Sequence, residues 1–396
     1  MSVMPGSGFE AVPDIRHPGS ARVQSIDIVR GLIMVLMVID HVRVYSGQPP
    51  GGPSPGIFFT RWITHYCAPG FAFFAGASIF LYGHKLGDRA ALARYLVVRG
   101  LLLVVLELTV IRFFWTFGID YSNFVLLGVI WMLGWCMVLM AAFIWLRPVV
   151  VGIIGLVIIV VQDLFAKVPY WLPQDSRASL GRFWEFIYTS GLETWEGISV
   201  LYVIVPWIGV MAAGYGSGQI LLLGPARRRK IFLGIGLSAI ALFLIIASII
   251  ITRRTPEAGD PPFIFQLLNQ RKYPASQLYL LMTLGPLIAL LPWAEKAGGW
   301  LARFLKIFGQ VPMFFYLLHL LLIHLSAFVV NIVLYGAVHQ EWYDSAPFTQ
   351  MPEEYRWSLP LLYLVFVIDV ILLYRACKWY AGYKRAHPEQ KWLKYI

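Results

Sequence analysis

The chain has 396 residues, of which 59% are hydrophobic and 13% charged, with a formal net charge of +11. Soluble domains are about 25% charged, so a chain this apolar can hide its surface only in lipid, and a soluble globular fold is excluded. The positive balance does not point to nucleic acid. The basic residues gather in short segments beside apolar runs, which is the positive-inside signature of membrane topology, and no basic face with a known reader motif is present.

Residues 1–24 are polar and rich in Pro and Gly, with no apolar h-region, and read as a cytoplasmic tail rather than a cleaved signal peptide. Apolar stretches of about 20 residues, each enough to cross the hydrocarbon core, then recur to the end of the chain. Ten spans are expected, near 26–45, 62–83, 95–115, 123–145, 148–165, 197–222, 231–251, 276–293, 309–333 and 358–377. Basic clusters precede the first span and follow the second, fourth, sixth, eighth and tenth, which places both termini in the cytoplasm. Arg253, Arg254, Arg271 and Lys272 run against this pattern in a segment expected outside. The expected fold is all-α, a polytopic membrane bundle over residues 25–380 with a basic tail at 381–396. No internal repeat supports an inverted-repeat transporter. The outer segments 166–195, 252–275 and 334–357 carry many aromatics, as in YWLP, GRFWEFIY and EWYD. They read as an interfacial belt or as a platform for stacking sugars.

The first span raises the functional question. It ends in MVIDHVR, residues 37–43, with Asp40, His41 and Arg43 inside an apolar run. Such groups survive in a membrane by pairing or by facing a wet cavity. At about 1.5 Å rise per residue, His41 lies about 24 Å above the start of its helix. His65, Glu107, Arg112, His319 and His324 fall at comparable levels on three other spans, with Asp163 and Glu196 near the outer edge. This convergence on one slab implies a polar chamber. On the first helix, Asp27, Arg30 and His41 share a face at about 100° per residue, whereas Asp40 lies off it. Asp40 with Arg43, and Asp27 with Arg30, are i,i+3 partners. On the ninth span Tyr316 and His319 share a face and His324 points elsewhere. The candidate catalytic residues are therefore His41, Glu107 and His319. Arg30 and Asp27 are the candidates for donor binding, and Asp40, His65, Arg112, Tyr316 and His324 for the chamber wall.

A neutral histidine can take a proton from a hydroxyl or amine nucleophile, and arginine holds phosphate well. That set suits acyl transfer from a phosphorylated carrier. No metal site is expected, since Cys67, Cys136 and Cys377 have no ligand spacing and there is no HExxH, CxxC or GxSxG. Periodicity and depth equally allow a proton-coupled transporter.

The stretch SIDIVRGLIMVLMVIDHVR, residues 25–43, resembles the start of the heparan-alpha-glucosaminide N-acetyltransferase-like family of bacterial membrane proteins, within a wider group of transmembrane acyltransferases. Arg30-Gly31 followed by His41 matches the wider group's Arg-Gly and its functional His eleven residues after the Arg. Residues 62–83, 101–115, 201–218 and 308–325 resemble later family motifs. The resemblance implies a multi-pass bacterial inner-membrane enzyme with acetyl- or other acyl-CoA as a small-molecule donor and no tightly bound cofactor. It also implies a glycan-type acceptor outside the cytoplasm and the lipid bilayer as surroundings. Assembly with further copies of the chain is left open. One departure matters. The lysosomal heparan enzymes resemble this chain but have Asn at the position of His41 and a functional His in the following loop, where this chain has SGQPPGGPSPGIFFT. Their catalytic arrangement is therefore not transferred.

Overall fold

The computed structural model describes residues 19–51, 54–122, 124–189, 196–257 and 259–394. Most of the expected N-terminal tail, residues 1–18, and the last two residues of the chain lie outside the described residues. In chain order the helices are α1 (Gly19–Tyr45), α2 (Pro55–Trp62), α3 (Cys67–Leu86), α4 (Arg89–Leu106) and α5 (Arg112–Thr116). Strand β1 (Val125–Leu127) leads into α6 (Val129–Phe143), followed by α7 (Pro148–Val161) and α8 (Gln174–Ile187). Strand β2 (Ile198–Val200) leads into α9 (Ile204–Ser217). Then come α10 (Pro225–Arg253), α11 (Phe263–Leu268), α12 (Gln277–Lys296), α13 (Gly299–Gln310), α14 (Pro312–Tyr335) and α15 (Leu359–Ala386). This is an all-α, multi-pass membrane architecture.

Six helical stretches are long and apolar enough to cross a membrane: Pro55–Leu86, Pro148–Trp171, Pro225–Arg253, Gln277–Lys296, Pro312–Tyr335 and Leu359–Ala386. They coincide with six of the ten expected spans. The other four fall short for identifiable reasons. Helix α1 is 27 residues long but carries Asp27, Arg30, Asp40 and Arg43. The third expected span is helical yet divided, with a π-helical turn at Glu107–Ile111 between α4 and α5. The fourth and sixth begin as strands, so α6 keeps only 15 helical residues and α9 only 14. Strands β1 and β2 pair in parallel from Val125↔Ile198 to Leu127↔Val200, which gives their extended backbones the partners that lipid would deny them.

Helix α1 is the centre of the bundle and packs against α3, α12, α13, α14 and α15. Its Val29, Ile33, Val38, Val42 and Tyr45 are fully buried. Small residues let its backbone come close to α13: a methyl group at Gly31 would run into the Leu305 carbonyl, and one at Gly309 into the Asp27 carbonyl. Helices α7 and α10 lie at the periphery, with Ile153, Leu156, Val160, Leu237 and Ile245 exposed. Apolar side chains exposed along whole helices are what a lipid-facing surface requires.

Candidate active site

The tight packing of α1 into the bundle brings it across α14, and His41 meets His319 at the crossing. Nδ1 of His41 lies 2.7 Å from Nε2 of His319, and the two rings stack with centroids 4.9 Å apart. Trp115, next to the π-helical turn, packs edge-on against His41 at 4.8 Å. His319 is fully buried, and its Nδ1 lies 3.1 Å from the Phe315 carbonyl oxygen. A carbonyl can only accept, so Nδ1 of His319 carries the hydrogen. Neutral His319 then presents a lone pair at Nε2. Nδ1 of His41 must donate to that lone pair, which leaves Nε2 of His41 as the acceptor. The Phe315 carbonyl thus sets the tautomers of both rings, and half-buried His41 is the one with a basic nitrogen to spare. Among the described residues no hydrogen-bond partner engages that nitrogen.

A cavity of about 490 Å³ lies on the N-terminal side of this pair. On α1 it is lined by Arg30, Met34 and Met37, successive turns that continue to His41. On α14 it is lined by Pro312, Met313 and Tyr316, one turn before His319. Both helices therefore place a histidine just past the end of the same cavity. Tyr316 packs edge-on against His319 at 5.1 Å. The opposite end is polar and positive, formed by Arg30, Arg99 and Lys384 with Asp27, Tyr82 and Tyr95. Arg30 donates to Ser78 Oγ at 2.7 Å and to the Gly309 carbonyl at 3.3 Å, and lies 3.6 Å from Asp27. Arg99 donates to the Tyr95 hydroxyl at 2.5 Å. Between the two ends the wall is apolar, with Phe71, Ile79, Leu103, Ile130 and Met137.

On the other side of the pair, Asp40 and Arg43 form their i,i+3 ion pair at 3.1 Å, and Arg43 also donates to the Gln48 carbonyl at 2.8 Å. Buried His65 lies 3.1 Å from the Arg61 carbonyl through Nδ1, which therefore donates, and its ring packs against Tyr279 at 5.5 Å. The charges that act on His41 are Asp40, Lys272 and Arg43. Lys272 comes from the short loop between α11 and α12. That loop is closed by a bridge from Lys272 to Ala275, and its Tyr273 ring lies 5.1 Å from the ammonium. Burial works against the charge of Lys272, but Tyr273 and Asp40 outweigh it and hold the ammonium protonated more firmly than usual.

Three candidate residues have other work. Glu107 is buried and accepts from the Ile130 and Trp131 amides at 3.1 and 3.3 Å, which caps the N-terminus of α6. The guanidinium of Arg112 is used by the carbonyls of Gly118, Asp120 and Phe124 and lies 4.0 Å from the Tyr121 ring, so it staples the segment before β1. His324 donates to the Phe114 carbonyl at 3.0 Å and stacks on Phe117 at 3.9 Å. Two rings, Tyr45 and Trp115, separate it from His41.

Sequence reasoning did not single out Arg99, Lys384 or Lys272 as site residues. Tyr95 and Arg99 sit at i,i+4, a spacing that could have flagged a shared polar face. Lys384 falls in the stretch expected as a basic tail, but α15 runs on to Ala386 and carries it into the cavity wall. Lys272 stands out in the sequence only as one of four basic residues that run against the topology pattern.

The sequence profile of the family described as heparan-alpha-glucosaminide N-acetyltransferase, catalytic, matches residues 22–251, more than half of the chain. No curated protein matches. The matched segment holds Arg30, His41, Arg99 and Glu107, whereas Lys272, His319 and Lys384 come from the part of the chain beyond it.

Proposed function

The chain belongs to the heparan-alpha-glucosaminide N-acetyltransferase catalytic family, and from that premise we propose that it is a membrane-embedded acyltransferase. In this reading it moves an acyl group, acetyl in the simplest case, from acyl-CoA on the cytoplasmic side to a glycan-type acceptor on the other side of a bacterial inner membrane. The topology that goes with it has both termini in the cytoplasm and ten crossings, four of them made by α1, α4–α5, α6 with β1, and α9 with β2.

The observation that carries the proposal is the form of the cavity. Arg30, Arg99 and Lys384 make a positive end suited to phosphates. An apolar shaft follows, which suits the uncharged arm of a thioester donor. From Arg30 to His41 the helix rises about 16 Å, so phosphates held at the mouth leave the thioester near Met37 and Tyr316, beside the histidine pair. The acceptor reaches His41 from the side of Asp40, His65 and Lys272.

The chemistry then follows from the tautomers. Nε2 of His41 takes the proton from the acceptor's hydroxyl or amine as its oxygen or nitrogen attacks the thioester carbonyl. His41 becomes an imidazolium that still donates through Nδ1 to Nε2 of His319. The carbon–sulfur bond breaks, and the CoA sulfur recovers the proton from His41, which leaves the histidine neutral and the acceptor acylated. His319 is a positioning residue in this scheme, and Tyr316 closes the shaft against its ring. The family assignment and the positive mouth favour this reading over a proton-coupled transporter.

The test is thermal stabilisation of the detergent-purified protein by acetyl-CoA and CoA, with Arg30→Ala and His41→Ala beside wild type. A ligand at 100 times its Kd stabilises by about 2.7 kcal/mol. Arg30→Ala should lose the shift, while His41→Ala should keep it and lose acyl transfer. No shift in folded wild type at millimolar ligand, or transfer that survives His41→Ala, would overturn the proposal.

A further inference from the structure

A second concavity, of about 950 Å³, lies on the C-terminal half of α15 where it passes α13. Phe304 and Tyr374 form its floor, with ring centroids 4.8 Å apart. Arg375 and Lys378, three residues apart and therefore neighbours on one helix face, stand over it. Gly382 keeps the far end open, since a methyl group placed there would meet nothing within 4 Å. Trp379 stands at its edge, 65% exposed.

Three other cations held against the protein are matched by carboxylates: Arg43 by Asp40, Arg30 by Asp27 and Arg228 by Glu295. Arg375 and Lys378 are exposed, and neither has an ion pair or hydrogen bond among the described residues. The ammonium of Lys378 has only the Tyr374 ring, at 6.0 Å. Two unmatched cations over an aromatic floor call for an anion.

Their level says which kind. The part of α15 before Arg375 is apolar, with Leu364, Val367, Ile368, Ile371 and Leu372 exposed. The twenty residues from Leu359 to Lys378 rise about 30 Å, the thickness of the hydrocarbon core, so Arg375 and Lys378 stand where the apolar layer gives way to the headgroups. Trp300, at the start of amphipathic α13, is 71% exposed and neighbours Phe304. Exposed indoles on both sides of the groove are what a headgroup layer selects. The apolar stripe below the cations gives acyl tails a continuous surface.

We propose that this groove binds one anionic phospholipid, with its phosphate held by Arg375 and Lys378, its glycerol region over Phe304 and Tyr374, and its tails along Ile371 and Ile368. The site is separate from the donor cavity and does not depend on the acyltransferase reading.

The experiment is native mass spectrometry and thermal shift on the full chain in detergent, titrated with phosphatidylglycerol, phosphatidylcholine or soluble glycerol phosphate. Phosphatidylglycerol should bind and stabilise, and phosphatidylcholine should not. The double variant Arg375→Gln/Lys378→Gln should bind it roughly tenfold or more weakly. Arg227→Gln/Lys230→Gln, which removes equal charge on α10, should change nothing. Gly382→Leu fills the open end with both charges intact and should also weaken binding. Equal binding of the two lipids, retention by the double variant, equal loss in the α10 control, or equal stabilisation by glycerol phosphate would each overturn the proposal.

Discussion

The two histidines at the crossing of α1 and α14 differ in what they can do. His319 uses Nδ1 on the Phe315 carbonyl and Nε2 on His41, so neither nitrogen is left for a substrate. His41 keeps Nε2. His319→Ala should therefore remove the acceptor that fixes the His41 tautomer, and lower kcat about 10²- to 10⁴-fold with little change in donor KM. His319→Gln can still accept the Nδ1 hydrogen through its amide oxygen and should recover a substantial part of the loss. Steady-state kinetics with acetyl-CoA would check both, and equal kcat values for the two variants would count against a positioning role. The sequence made both histidines candidates, because period and depth on a single helix are local properties. It did not reveal which nitrogen meets which, because that depends on how α14 crosses α1.

At the scale of elements, α1 carries the site because it is held tightly on both flanks. Arg30 and Gly31 are adjacent: one lines the cavity and the other lets α13 approach. Gly31→Ala would push a methyl group into the backbone carbonyl of Leu305, which cannot rotate away. The expected cost is about 1–3 kcal/mol of overpacking. The separation would also move the Gly309 carbonyl away from Arg30. A lower Tm together with a weaker acetyl-CoA shift is expected, and an unchanged Tm would show that the close approach is dispensable. The strands before α6 and α9 are the least legible elements. FVLLGVI and ISVLYVIV are apolar enough to read as membrane helix, and only their pairing with each other makes an extended backbone affordable there. The capping role of Glu107 follows from the same arrangement, since the free amides it accepts belong to the helix that β1 introduces.

The whole molecule sets a positive mouth, an apolar shaft and a histidine pair in line. Ala75, on the shaft wall, tests that line without touching charge or base. Ala75→Phe should fill the shaft, abolish stabilisation by acetyl-CoA and stop transfer, while Tm without ligand stays near wild type. Retained binding in folded Ala75→Phe, read by the same thermal assay, would mean that the donor takes another route.

The sequence by itself determined that this is a membrane chain, in keeping with the six helical stretches among the described residues that are long and apolar enough to cross one, and that Asp27–Arg30 and Asp40–Arg43 pair within α1. Hydropathy sums over neighbours and i,i+3 contacts are both local, so they survive any arrangement of the remaining helices. Only the tertiary structure decided that His41 faces His319, 278 residues away in the chain. Only it gathered Arg30, Arg99 and Lys384 from three helices into one mouth, and brought Lys272 from a loop toward Asp40. Periodicity gives the face and depth of a residue on its own helix, whereas the neighbour that face meets depends on where small residues let the backbones approach.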